Sequence, residues 1–110
     1  MDKDLNGTAW RALCPASEVP AACGKRVEVD GWEPLAVFRL GDEYRVTVDT
    51  CSHGNASLCE GEVSNGEVEC PFHAGRFDIR TGAVTAFPAQ EPICVYEAEL
   101  RDGMVYARLE

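Results

Sequence analysis

The sequence predicts an all-β fold, an antiparallel β-sandwich or barrel, and three observations carry that reading. Apolar and polar residues fall into nearly ten short runs of strand length. Turn-forming residues separate these runs at close spacing. No repeat, linker or low-complexity segment interrupts the pattern.

Taken in order, Trp10-Arg11-Ala12-Leu13 alternates as an opening strand, and Pro15 to Glu18 make one helical turn. Arg26 to Val29 form a short strand ending at Asp30-Gly31. Leu35 to Leu40 and Tyr44 to Val48 flank Gly41-Asp42-Glu43, a hairpin signal. Glu62-Val63 and Glu67 to Glu69 flank Ser64-Asn65-Gly66, a second hairpin. Arg76 to Arg80 run into Thr81-Gly82 and then Val84 to Ala86. Ile93 to Leu100 and Met104 to Leu109 flank Arg101-Asp102-Gly103, a third. Trp10, Trp32, Phe38 and Tyr96 are expected in the core.

A chain of 110 residues is expected to form one domain, residues 1–110. Its 19 acidic and 10 basic residues leave a net charge of −9, which repels nucleic-acid phosphates and suits a protein that meets basic protein surfaces. The longest apolar run is four residues, as in Leu35 to Phe38. A membrane span needs about twenty and a signal peptide at least about seven. The expectation is therefore a soluble cytoplasmic protein that contacts neither membrane nor nucleic acid.

Six cysteines are many for this length. Without an export signal they are expected to stay reduced or to bind metal. The two histidines, His53 and His73, each sit beside a cysteine, in Cys51-Ser52-His53 and Cys70-Pro71-Phe72-His73. The order is C-x-H, sixteen residues, C-x-x-H. Two thiolates and two imidazoles suit a Rieske [2Fe–2S] centre, with two Cys on one iron and two His on the other. They also suit zinc. The arrangement favours the cluster, because each half-motif offers one Cys and one His, and no amphipathic helix follows to carry paired histidines. Gly54 and Gly75 would let backbone approach the inorganic sulfurs. Cys14, Cys23, Cys59 and Cys94 read as small buried hydrophobes, with Cys59 the thiol most open to oxidation.

With Gly75-x-Phe77-Asp78 behind the second half-motif, the sequence resembles the Rieske-type ferredoxins over about residues 9 to 109. Asp49-Thr50 ahead of Cys51, Ala56-Ser57-Leu58, and Pro88 in a late loop add to the likeness. The resemblance implies a Rieske fold: an antiparallel base carrying a small cluster-binding subdomain, about residues 49–89. It implies one Rieske-type [2Fe–2S] cluster per chain, ligated by Cys51, His53, Cys70 and His73. Family members carry electrons from a flavin-dependent ferredoxin reductase to the terminal Rieske non-haem iron oxygenase of bacterial aromatic-ring-hydroxylating dioxygenase systems. They are not themselves enzymes. A small Rieske subunit of a nitrite reductase and a zinc-stabilised interaction domain are the alternatives. Oxygenase chemistry within this chain fails on ligand count, since both histidines serve the cluster. A shuttle of this kind is expected to be a monomer.

Two departures from the respiratory Rieske pattern bear on potential. Ala56 and Phe72 stand where that pattern has a disulfide-forming pair, and Gly75 and Phe77 replace its hydroxyl donors. Without those donors the centre is expected near roughly −150 mV. Ala74 replaces a usual glycine. Pro88 is expected to cover the cluster and Phe72 to shield it. Glu60, Glu62, Glu67 and Glu69, between the motifs, are candidates for docking a basic partner.

Overall fold

The computed structural model describes residues 10–51, 56–72, 74–87, 89 and 91–109. Eleven strands form among them: β1 (Trp10–Pro15), β2 (Lys25–Val27), β3 (Leu35–Leu40), β4 (Glu43–Val48), β5 (Val63–Ser64), β6 (Glu67–Glu69), β7 (Arg76–Asp78), β8 (Val84–Ala86), β9 (Val95–Tyr96), β10 (Ala98–Arg101) and β11 (Met104–Arg108). Single 3-10 turns occupy Ala16–Glu18 and Leu58–Glu60, and the described residues include no α-helix. The fold is all-β. Among the described residues no helix is long and apolar enough to cross a membrane.

The strands make three antiparallel sheets, ordered β1-β11-β10, β2-β3-β4-β9 and β5-β6-β7-β8. All three expected hairpins form, each with the backbone its turn residues dictate. Gly41 takes φ +66 between the paired Leu40 and Glu43. Asn65 and Gly66 (φ +54 and +76) join Ser64 to Glu67, and Asp102 and Gly103 (φ +51 and +79) join Arg101 to Met104. Two successive left-handed residues match the twist of the flanking strands, which is why Asn-Gly and Asp-Gly close hairpins.

Two buried cores flank β3. Leu35, Ala36, Val37 and Phe38 are all inaccessible to solvent. Leu35 and Val37 join Cys14, Val46, Val105, Ala107 and Leu109, between the first two sheets. Ala36 and Phe38 join Val48, Leu58, Val68, Phe77 and Ile79, between the second and third sheets. The period of two along a strand sends alternate residues to opposite faces. A four-residue apolar run is what a strand buried on both faces requires. Each large side chain buried here contributes about 1.5–3 kcal/mol.

Among the expected strands that end early, two have identifiable reasons. The run from Ile93 to Leu100 splits at Glu97: β9 pairs with β4, β10 with β11. The chain changes sheets there, and a strand that does so must bend. The run from Arg76 to Arg80 stops at Asp78, whose Oδ1 accepts the N–H groups of Arg80 (2.8 Å) and Thr81 (3.2 Å) and turns the chain. Of the expected core aromatics, Trp10 and Phe38 are buried. Trp32 and Tyr96 are only half-buried, in edge contact at 6.2 Å on the rim of the first core.

Candidate metal centre

Cys51 and Cys70 open two loops that rest on the second core, and both are 2% exposed. The first loop leaves β4 and the second leaves β6. Each is closed in the same way. The Cys51 N–H donates to the Ala56 carbonyl (3.0 Å), and the Cys70 N–H donates to the Gly75 carbonyl (2.7 Å). The partner lies five residues on in both cases. A bridge between Thr50 and Ser57 pins the first loop, and an Ala74 N–H to Cys70 carbonyl bond (3.0 Å) tightens the second. His53, His73, Gly54 and Pro88 lie outside the described residues. Two thiols presented by similar closed loops over one dry core suit thiolate ligation of a metal.

Ala74 has φ +64. The loop thus demands a left-handed residue where glycine would be unstrained, and an alanine occupies it at a cost of about 1–2 kcal/mol. A third segment closes over the second loop. Ala89 is buried, and a Cβ at Gly75 would stand 2.8 Å from the Ala89 nitrogen and 2.9 Å from its Cβ. Gly75 therefore permits close packing of the late loop that contains Pro88. Phe72, in the second loop, is 65% exposed, and Phe87, two residues before Ala89, is 78% exposed. Phe72 lies on the surface. In the sequence, Phe87 is marked only by its place next to Pro88.

Asp49 is the second residue the reading undervalued. It is 2% exposed at the end of β4, two residues before Cys51. Its Oδ2 accepts from Arg26 Nε (3.2 Å) and Ser57 Oγ (2.7 Å), and its Oδ1 accepts the Cys59 N–H (3.0 Å). Its backbone N–H donates to Pro34 and its carbonyl accepts from Leu58. One carboxylate thus ties β2, the strand leading into the first loop and the turn that leaves it. A buried charge is tolerated only when paired and hydrogen-bonded in this way.

Several expected roles change. Glu67 and Glu69 are partly exposed and are paired within the chain. Arg76 donates to both (2.9 and 2.8 Å) and to Ser64 Oγ (3.1 Å), clamping β5, β6 and β7 beneath the second loop. Glu60 and Glu62 remain exposed. Cys59 is half-buried with its Sγ 3.1 Å from Ser57 Oγ, and burial, with Asp49 adding to it, pushes its thiol up. A protonated, half-buried thiol resists oxidation, and Cys94 is the exposed one. Cys14 is buried and its thiol is raised, chiefly by burial, as expected of a structural cysteine. Cys23 is half-buried.

Comparison with known proteins bears on these loops. The family profile described as "Rieske [2Fe-2S] domain" matches residues 9–97. Ferredoxin CarAc of Metapseudomonas resinovorans is 43% identical over 97 residues, covering 88% of this chain and 91% of that protein. The anthranilate 1,2-dioxygenase ferredoxin subunit of Burkholderia cepacia is 53% identical over 77 residues, covering 70% and 71%. Among solved structures, a chain in the complex of reduced oxygenase and oxidised ferredoxin in carbazole 1,9a-dioxygenase superposes with a TM-score of 0.86 at 41% identity, covering 94% of this chain and 96% of that one.

Proposed function

Because the chain belongs to the Rieske [2Fe-2S] domain family, we propose that it is a one-electron carrier that takes electrons from a flavin-dependent reductase and delivers them to the terminal oxygenase of an aromatic-ring-hydroxylating dioxygenase. The family's cofactor is the Rieske-type [2Fe–2S] cluster, and the chain is an electron-transfer component, not an enzyme. The ferredoxin reading stands over that of a nitrite reductase subunit, because relatives matched along most of their length are ferredoxin components. Cys51 and Cys70 would hold one iron, and His53 and His73 the other. The cluster supplies reversible uptake and release of one electron. Leu58, Phe77 and Ile79 keep water from the cysteine side of the site. Phe72 and Phe87 offer apolar surface beside it. We read residues 1–110 as one domain, with the cluster-binding part at about 49–89, acting as a cytoplasmic monomer that binds neither nucleic acid nor membrane.

The observation that carries the ligand assignment is the matched closure of the two cysteine loops, N–H to carbonyl across five residues in each. Electron paramagnetic resonance of the dithionite-reduced protein tests it. The wild type should give a Rieske spectrum. His53→Cys and His73→Cys should change or abolish that spectrum, because a neutral imidazole becomes an anionic thiolate. Cys59→Ser should leave it intact. Loss of the cluster in Cys59→Ser with retention in Cys51→Ser would overturn the assignment.

A further inference from the structure

We propose that buried Asp49, paired with the half-exposed Arg26, positions the first cysteine loop and that the charges of the two residues set the reduction potential of the cluster; the proposal rests on the cluster reading above. Asp49 stands two residues from Cys51, a separation that extended chain spans in at most about 7 Å. Its side chain is 4% exposed, so water screens it little. All three of its side-chain bonds go to groups that define the first loop or brace it: Arg26 in β2, Ser57 and the Cys59 N–H. Removing any one leaves the other two to hold the shape. Removing the charge changes something else.

Reduction adds one negative charge to the centre. A fixed carboxylate nearby disfavours that change, and a fixed guanidinium favours it. Asp49 should therefore hold the potential down, and Arg26 should partly offset it. The offset is incomplete, because the Arg26 side chain is 44% exposed against 4% for that of Asp49. Arg26 also divides its donors, since Nη1 binds the exposed Glu28 carboxylate. Glu28 thus provides a control: a carboxylate on the same guanidinium, but in solvent.

The experiment is voltammetry of the purified holoprotein, with iron content and electron paramagnetic resonance recorded for each variant. Asp49→Asn keeps the size of the side chain and should shift the midpoint potential upward. Arg26→Gln should shift it downward, by less. Glu28→Gln should leave it in place, with an unchanged spectrum. Opposite shifts for the two partners are the signature of charge, because loosening of the loop alone would move both variants the same way. Shifts of one sign, or shifts no larger than that of Glu28→Gln, would overturn the proposal. Should Asp49→Asn fail to hold iron, the sign of the Arg26→Gln shift decides alone: downward supports, unchanged or upward overturns. A wild type without a Rieske spectrum would instead overturn the cluster reading and this inference with it.

Discussion

Ala74 and Gly75 are adjacent, yet the backbone asks opposite things of them. Ala74 sits at φ +64 without the glycine that such an angle favours. Ala74→Gly should remove about 1–2 kcal/mol of strain and return about 0.4–1 kcal/mol to the unfolded chain's entropy. The expected net stabilisation is about 1 kcal/mol, visible in urea denaturation of the holoprotein; a destabilised variant would contradict the strained angle. Gly75 is the reverse case, since its missing side chain is filled by Ala89. Gly75→Ser should force the late loop outward and speed loss of the visible absorbance of the cluster. Phe77→Tyr adds a hydroxyl in a fully buried position. It should raise the midpoint potential if that hydroxyl reaches the cluster sulfurs, and an unchanged potential would remove hydroxyl donors from the account. The sequence alone could show that Cys51 and Cys70 open paired half-motifs, because ligand spacing is a local property. It could not show that Asp49 is buried against Arg26, because those residues are 23 positions apart and meet only in the fold.

At the scale of elements, the hairpins were readable because a tight turn is decided by its own two residues, as at Asn65-Gly66 and Asp102-Gly103. The break at Glu97 was not readable, since it depends on β9 and β10 having partners in different sheets. Contacts between distant elements were likewise hidden. Arg80, just beyond β7, binds Glu43 at the start of β4 through Nη2 (2.7 Å) and Nε (3.0 Å). The Arg80 guanidinium, with help from Arg45, holds the Glu43 carboxyl below the usual carboxylate range. A carboxyl depressed by folding stabilises the fold above its unfolded pKa, and that contribution is lost as pH falls through the folded value. Arg80→Gln should therefore be less stable than wild type near neutrality, and the gap should close from about pH 4.5 downward. Urea titrations at neutral and acid pH measure the gap, and one that stays constant would show that the pair contributes nothing through its charge. Both groups are partly exposed, so added salt should shrink the effect.

Over the whole molecule, the net charge of −9 is not spread evenly in what it can do. Lys25, Arg26, Arg45, Arg76, Arg80, Arg101 and Arg108 all lie in ion pairs with acids of this same chain. The acids that remain outside such pairs therefore dominate the outward field. Glu60 and Glu62 are exposed, lie in the segment between the two cysteine loops, and take part in no ion pair among the described residues. On the proposed function, a carrier that meets a reductase and an oxygenase and leaves both gains from a charge that speeds encounter without locking the complex. Glu60→Lys and Glu62→Lys should each slow reduction of the carrier by the proposed reductase at low ionic strength. Asp30→Lys, at the turn after β2, should slow it less. Added salt should slow the wild type and narrow the difference between variants, because screening acts on the long-range part of the attraction. Turnover at saturating carrier should change little, since none of these residues holds the cluster. Stopped-flow reduction at low and high ionic strength separates the cases. Equal rates for all three variants, with no dependence on salt, would reduce the acidic excess to a solubility feature and leave the exposed Phe72 and Phe87 as the surface on which recognition rests.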